Sequence, residues 1–432
     1  MKNKKEAFLS LFRLNKEAMI KLFLSITTLL VFCWLIELLI TTFAISPHTV
    51  LNNSVFHHHL TDSFYDFYNI NDFFYNRSPY IECDSSYPPF NFIIASPFVE
   101  IQKHDKFAAR NVYIIVFVCL LILISVLTIR KYKLGLVNSI LLPITCFVSA
   151  PLLFLLERGN YLIFTFTFVC LFLLSYDSKN IVIRELSYVW LAMAIATKFY
   201  PVAFALLLLK EKRIIDLLKA AGYTIILLVV PFFAMNGGFT SNIQAFLGHL
   251  RTFSSYQRLS VDISTNNMFR IFAYMFGFDY NSNALSIFAT VVRFTLFFVM
   301  IVAIIFTKKK WQAITLASLA AVIVPAPAMI HSLVFVIVGV VSFLLEEEKI
   351  KIDYVYMGLF IIMITPLQFG YIIEPVPFAE QTSTIQETNP NYLGLSVNTL
   401  LEAMSAFAMA SIVSVRVIIA TIKDFKSKSH AN

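Results

Sequence analysis

The sequence predicts an all-α polytopic membrane protein, and three observations predict it. Hydrophobic residues make up 58% of the 432 positions and charged residues only 14%, with a mean hydropathy of +0.75. A soluble domain carries about 25% charge, so this chain cannot cover a water-facing surface. Apolar runs long enough to cross about 30 Å of hydrocarbon recur along its whole length. Lys and Arg gather in the short stretches between those runs, as topology signals do. The net charge is +8, but a nucleic-acid surface would collect its bases on one exposed face, so no nucleic-acid partner is expected.

From the N-terminus, Lys2, Lys4, Lys5, Arg13, Lys16 and Lys21 lead into the first run, near 19–45. It is longer than a signal-peptide core and lacks a small-residue cleavage site, so it reads as a retained first helix. Further spans are expected near 112–129, 135–156 and 161–176. The segments 186–197 and 200–210 hold roughly a dozen residues each, too few for a crossing of about 20. They read as half-length helices meeting at Lys198-Phe199-Tyr200-Pro201, where non-helical backbone must be buried in protein or face a watery cavity. The remaining spans are expected near 215–234, 286–307, 312–326, 331–346, 353–374 and 393–420. The whole makes a single integral-membrane domain (1–432) of about 10–12 transmembrane or half-length helices.

With the N-terminus in the cytoplasm, 23 Lys and Arg fall in inner segments and 9 in outer ones. That bias predicts a multi-pass plasma-membrane protein with both termini cytoplasmic. Two long segments then lie outside, 46–111 and 235–285. Both exceed ordinary connection length, and both are rich in Tyr, Phe and Asn. In the second, Ile243, Phe246, Leu247, Leu250 and Phe253 recur at helical spacing, which predicts a helix lying in the outer interface.

The first outer loop carries the chemistry-bearing residues: His57-His58-His59, then Asp62, then Asp66-Phe67-Tyr68-Asn69, Pro79-Tyr80 and Tyr87-Pro88-Pro89. Aromatic surroundings desolvate a carboxylate and raise its proton affinity, improving it as a base, and aromatic faces suit a sugar ring. The competing reading is an interfacial aromatic belt. Three adjacent histidines point in different directions, unlike convergent zinc ligands, so no metal is expected. Five cysteines without a CxxC pair give no disulfide framework. There is no Gly-rich nucleotide fingerprint and no inner loop large enough for a nucleotide domain. No cofactor is expected, and a sugar-nucleotide donor has no home.

A lipid-linked donor needs only a groove open to the bilayer and cations for its phosphate. Arg158, flanked by Glu157 and Gly159, is expected at a helix N-terminus where its fork and free N–H groups hold an oxyanion. Lys198 follows an apolar run and has no topogenic reason to be there. Each could instead be a snorkelling interfacial side chain. His331, in Pro325-Ala326-Pro327-Ala328-Met329-Ile330-His331, is expected at an outer turn between two spans, where a lone His is commonly structural.

Together these segments resemble the GT-C class of membrane glycosyltransferases, and most of all glycosyltransferase family 87. The resemblance rests on Asp66-Phe67-Tyr68-Asn69, Pro79-Tyr80, Tyr87-Pro88-Pro89, Glu157-Arg158-Gly159-Asn160 and Ala196-Thr197-Lys198-Phe199-Tyr200-Pro201. More weakly it rests on Asn266-Asn267 and the His331 turn. It covers roughly residues 60 to 335. It implies inverting transfer of a sugar, mannose among the options, from a polyprenyl-phosphate donor to a hydroxyl of a glycan or lipid acceptor on the extracytoplasmic side of the cell envelope. By motif match the general base is Asp66, with Asp62 as its rival. Asp72 reads as structural. Arg158, Lys198 and His331 would hold the donor phosphate. Tyr68, Asn69, Tyr80, Tyr87, Asn160, Tyr200 and Asn267 would shape the substrate pocket, among membrane lipids. Two rival readings are a secondary transporter or lipid flippase, for which broken helices speak, and an O-antigen-type polymerase.

Overall fold

The computed structural model describes residues 16–44, 64–255, 259, 262–367, 369–373 and 394–429. The histidines at 57–59 and Asp62 lie outside the described residues, as does the first part of the loop that carries them. Of the described residues, 78% are helical. The chain is an all-α polytopic membrane protein, relieved among the described residues only by a small antiparallel pair, β1 (Tyr371–Ile373) and β2 (Leu395–Ser396).

The helices follow the apolar runs. The first is α1 (Lys16–Ala44). Two short helices, α2 (Tyr65–Phe73) and α3 (Phe90–Gln102), then precede α4 (Lys106–Tyr132). Asp105 starts α4 by accepting hydrogen bonds from the Phe107 and Ala108 amides. That cap opens the helix six residues before the expected start at 112. The next span is bent by 54° into α5 (Leu136–Phe147) and α6 (Ala150–Arg158). Pro151 at the head of α6 marks the break.

α7 (Leu162–Ser175) packs along α8 (Ile181–Thr197), and α8 along α10 (Ile214–Val229). Between them the chain breaks at Lys198 and resumes as a 3-10 turn, Tyr200–Ala205, running into α9 (Leu206–Lys210). The break follows from Pro201, which has no N–H to donate to the Thr197 carbonyl four residues back, and the chain leaves the helix at Lys198, which is extended. A second 3-10 turn, Val230–Ala234, extends α10.

The second long segment contains α11 (Phe239–Ser255) and α12 (Thr265–Met275). On α11 the buried face differs from the expected stripe: Asn242 and Phe246 are buried, while Leu247 is exposed. Then come α13 (Asn283–Phe306), α14 (Lys310–Ile323), a 3-10 turn (Ile330–Phe335), α15 (Val336–Leu344), α16 (Asp353–Ile364) and α17 (Val397–Ser429). The span expected to reach 374 ends ten residues earlier, at Ile364. Among the described residues, five helices are long and apolar enough to cross a membrane, six if the bent pair is one span, with five shorter apolar helices beside them.

The core is centred on α14, all of whose residues from Ala313 to Ile323 are buried. It packs on α15, on α13 and on the 200–205 turn. At one end of the bundle Lys131 (α4) reaches the Leu174 carbonyl at the end of α7 and pairs with Asp177 at 2.8 Å. Asp177 also pairs with Lys310 at the start of α14. The polar cluster described next lies at the opposite end.

Candidate functional site

The site begins with two helix ends that meet. Phe64, just before α2, holds a left-handed φ of 57°, uncommon for a bulky residue. Its amide donates to the Glu157 carbonyl at 2.7 Å. Opposite, α6 ends at Gly159, also left-handed at φ 61°. A Cβ there would stand 2.7 Å from the Phe64 ring and 2.7 Å from Phe67 Cβ. Only glycine allows both the turn and the contact. Arg158 is thus the last residue of α6, which corrects its expected place at a helix N-terminus: the chain turns away at Gly159 and α7 begins only at Leu162.

This docking brings Asp66, in the first turn of α2, onto the 158–160 turn. Arg158 donates to Asp66 Oδ1 at 2.6 Å, and Asn160 Nδ2 donates to Oδ2 at 2.6 Å. The Asn160 carbonyl oxygen of the side chain accepts from the Leu162 amide, and its backbone carbonyl from the Tyr113 hydroxyl. Behind the pair, Phe67, Phe98, Tyr113 and Tyr161 form one aromatic cluster, with the Tyr161 hydroxyl donating to Asn71 Oδ1. Burial alone would raise the Asp66 carboxyl, but the Arg158 guanidinium and the Asn160 amide outweigh it and hold the group below the usual carboxylate range.

Three further segments converge. Lys198 caps α8, with its Nζ 4.3 Å from the centre of the Tyr87 ring. Burial pulls its ammonium down to about 8 against the attraction of Asp66. Asn91 on α3 donates to the Thr197 carbonyl, fixing the backbone just before the lysine. Half-buried His331 stacks on Phe154 of α6 and lies in the field of Asp66, Lys198 and Arg158. Tyr87 shares the fields of Asp66, Arg158, Tyr200 and Tyr65, and burial raises its hydroxyl. Tyr65 lies under the Arg158 guanidinium, 5.3 Å away.

Asp66, Arg158, Asn160, Lys198, Tyr87, Tyr200 and His331 are therefore brought together from five separate stretches of chain. The other sequence candidates sit apart. The Tyr80 hydroxyl donates to the Tyr87 carbonyl and its ring is enclosed by Phe92, Phe232 and Phe246, so it props Tyr87 from behind. Tyr68 faces Lys106, 4.1 Å from its ring. Asn69 is half-buried one turn beyond Asp66. Asn267 is buried and donates to the Asp262 carbonyl, inside a local turn. Asp72 accepts from Gln102, tying α2 to α3.

One acid in this region escaped the sequence reading. Asp262 is buried and accepts from the Ser264 and Ala328 amides at 2.8 and 2.9 Å, stapling the second long segment to the turn that carries His331. Burial pushes it up to about 6. The signal was available: it is the single acid between Asp216 and Asp279. Tyr65 had no signal beyond its place beside Asp66. No cluster of His, Cys, Asp and Glu suited to a metal ion occurs among the described residues.

A family model described as glycosyltransferase family 87 matches residues 86–335. The matched stretch holds Tyr87, Arg158, Asn160, Lys198, Tyr200, Asn267 and His331. Asp66, Tyr68, Asn69 and Tyr80 precede it. No curated protein and no solved structure matches the chain.

Proposed function

The chain belongs to glycosyltransferase family 87, and we propose that this membrane glycosyltransferase moves a sugar from a polyprenyl-phosphate donor to a hydroxyl of a glycan or lipid acceptor on the extracytoplasmic side. Asp66 is the base. The acceptor oxygen attacks the anomeric carbon while its proton passes to the Asp66 carboxylate. The bond from that carbon to the phosphate oxygen breaks, and the lipid phosphate leaves with the electron pair. Attack opposite the leaving group inverts the anomeric centre.

The observation that carries this reading is the Asp66–Arg158 pair at 2.6 Å, with Lys198 and His331 acting on the same carboxylate. A group transfer of this kind needs a base and positive charge within one small site. Asp66 paired with Arg158 is a weak base, because its charged form is stabilised. A donor phosphate competes for the same guanidinium, and every degree of competition returns basicity to Asp66. Donor binding thereby prepares the base. Tyr87, Tyr200 and Tyr65 border the charged groups and offer ring faces to a sugar.

The test is to incubate the purified protein in membranes with radiolabelled polyprenyl-phospho-sugars, mannose and glucose among them, and with nucleotide sugars. Label should move from one of the lipid-linked donors to an acceptor. Transfer from a nucleotide sugar alone would overturn the donor class, and net movement of an unaltered lipid-linked sugar across the vesicle without transfer would favour a transporter.

A further inference from the structure

A groove occupies the half of the bundle opposite Asp66, between α4, α5, α7 and α15. On α4 it is lined by Leu121, Ser125, Thr128 and Tyr132, which recur on one helical face. α7 contributes Phe166, Cys170 and Leu174, and α15 contributes Ile337 and Val341. The deep end closes on Phe166 and on Leu152, just past the bend between α5 and α6. The other end is Tyr132 and Leu134, where α4 stops. The space, about 800 Å³ with the open side counted, is that of a ligand site rather than a packing defect.

The chemistry of the groove selects its occupant. Its lining is mostly apolar, and Ser125 spends its hydroxyl on the Leu121 carbonyl of its own helix, so water finds few partners there. Beside the lining residues, Ile122 and Val126 on α4 and Ile140 and Ile144 on α5 are exposed, on segments apolar enough to cross the bilayer. The groove therefore opens sideways into lipid. From Leu121 to Tyr132 the helix rises about 16 Å, the depth of one leaflet of a hydrocarbon core about 30 Å thick. The mouth is basic. Lys131 Nζ donates to the carbonyls of Leu173 and Leu174, both in the lining, at 3.3 and 3.0 Å. Lys131 and Lys310 share the single carboxylate of Asp177, which leaves positive charge over. Lys133, left-handed at φ 49°, stands between the lining residues Tyr132 and Leu134. Both Lys133 and Arg130 are exposed and have no ion-pair partner among the described residues.

We propose that this groove holds one acyl chain of an anionic phospholipid from the leaflet opposite the candidate site, with the headgroup phosphate against Arg130, Lys131 and Lys133. The chain supplies the van der Waals contacts that the four lining helices do not give one another, and the basic mouth favours an anionic headgroup over a neutral one. A polyprenyl-phosphate donor would place its phosphate at the other end of the bundle, by Arg158 and Lys198, and the groove is closed on that side by Leu152 and Phe166. The inference does not depend on the glycosyl-transfer reading.

The test uses the full chain in neutral detergent, titrated with phosphatidylglycerol, with phosphatidylcholine of the same acyl chains and with a polyprenyl phosphate, and followed by native mass spectrometry. Phosphatidylglycerol should bind at least about tenfold more tightly than phosphatidylcholine, and the double variant Arg130→Gln, Lys133→Gln should remove that preference. Thr128→Phe, which fills the groove, should weaken both phospholipids about tenfold. In the native protein, phosphatidylglycerol carrying a diazirine near the end of one chain should label Phe166 or Cys170, both buried on α7. That readout decides the matter if Thr128→Phe fails to fold. Label confined to the exposed α4 residues Ile122 and Val126, a headgroup preference that is absent or survives the double variant, or unchanged binding by a folded Thr128→Phe overturns the proposal. Displacement of phosphatidylglycerol by the polyprenyl phosphate at matching concentration would give the groove to a lipid-linked donor and overturn the phospholipid occupant.

Discussion

The Asp66 carboxylate lies 2.6 Å from the Arg158 guanidinium, although 92 positions separate them in the chain. The pair does two things at once. It closes the contact between the short helix α2 and the end of α6, and it fixes the protonation state of the carboxylate. With side chains 11% and 21% exposed, the pair is shielded enough for its electrostatics to count. The same contact therefore governs how the site is assembled and how basic it is.

Asp66→Asn should lower the rate of sugar transfer by about 10²- to 10⁴-fold, the usual worth of a positioned base. The amide keeps the size of the carboxylate and can still accept from Asn160, so the protein should accumulate in the membrane as before. Initial rates of label transfer, normalised to folded protein, provide the check. Asp62→Asn is the companion variant. Full activity in Asp66→Asn with a dead Asp62→Asn moves the base four residues, and activity in both removes the mechanism.

Arg158→Gln should shift the acid limb of the pH–rate profile upward. In the native site the Asp66 carboxyl lies below its ordinary value, so it stays ionised at every pH above about 4. The stability it contributes is fully present above that unfolded value and is lost as pH falls through the depressed folded value. Without the guanidinium, burial is left as the main influence and raises the carboxyl, so activity should fade at higher pH than in the native protein. Stability at neutral pH should drop by about 3–5 kcal/mol, the usual cost of orphaning one member of a buried pair. A folded variant with an unmoved acid limb refutes the coupling.

Gly159→Ala tests the docking itself. A side chain there forces a left-handed conformation costing about 1–2 kcal/mol and drives a methyl to 2.7 Å from Phe67 Cβ, which no rotamer change can relieve. The melting temperature should fall by several degrees and transfer should fall further, because α2 is pushed off the turn that bears Arg158 and Asn160. Gly248→Ala is the control. Nothing lies within 4 Å of a Cβ there, and alanine favours the α11 helix, so its melting temperature should hold or rise. Equal melting of both variants would show that the tight turn is not what seats α2.

Much of this arrangement could be read from residue order, and the reason is physical. The bilayer imposes a length on apolar runs, so α4, α10 and α13 announce themselves, and the halt at Lys198 follows from a lysine and a proline interrupting one such run. Arg158, Lys198 and His331 stood out because charge amid hydrocarbon is conspicuous. What stayed illegible was set by tertiary contact. The end of α6 at Arg158 depends on Gly159 meeting Phe64 and Phe67, 92 or more positions away, and a lone glycine does not reveal which helix it ends. Tyr80 looked like a sugar-binding ring, yet its hydroxyl serves the Tyr87 backbone. Asp262 acquires its role only when the turn holding Ala328 folds against it. Asp62 lies outside the described residues, so motif order alone ranks it behind Asp66.

Lys198 separates donor binding from stability through pH. Burial brings its ammonium down to about 8, against about 10.4 for an unfolded lysine. The cation is therefore present below pH 8 and lost above it, and the donor KM should climb as pH rises through that value. Stability should move the other way. Between about pH 8 and 10 the unfolded chain holds a proton at this position that the folded chain has released, so folding becomes more favourable as pH rises. Lys198→Arg keeps its charge throughout and should give a donor KM free of the alkaline rise, while Lys198→Met should show a raised KM at every pH. Steady-state kinetics with a lipid-linked donor, run beside thermal melting from pH 6 to pH 10, measure both trends. If the alkaline rise persists in Lys198→Arg, another group controls donor binding and Lys198 has no part in holding the phosphate.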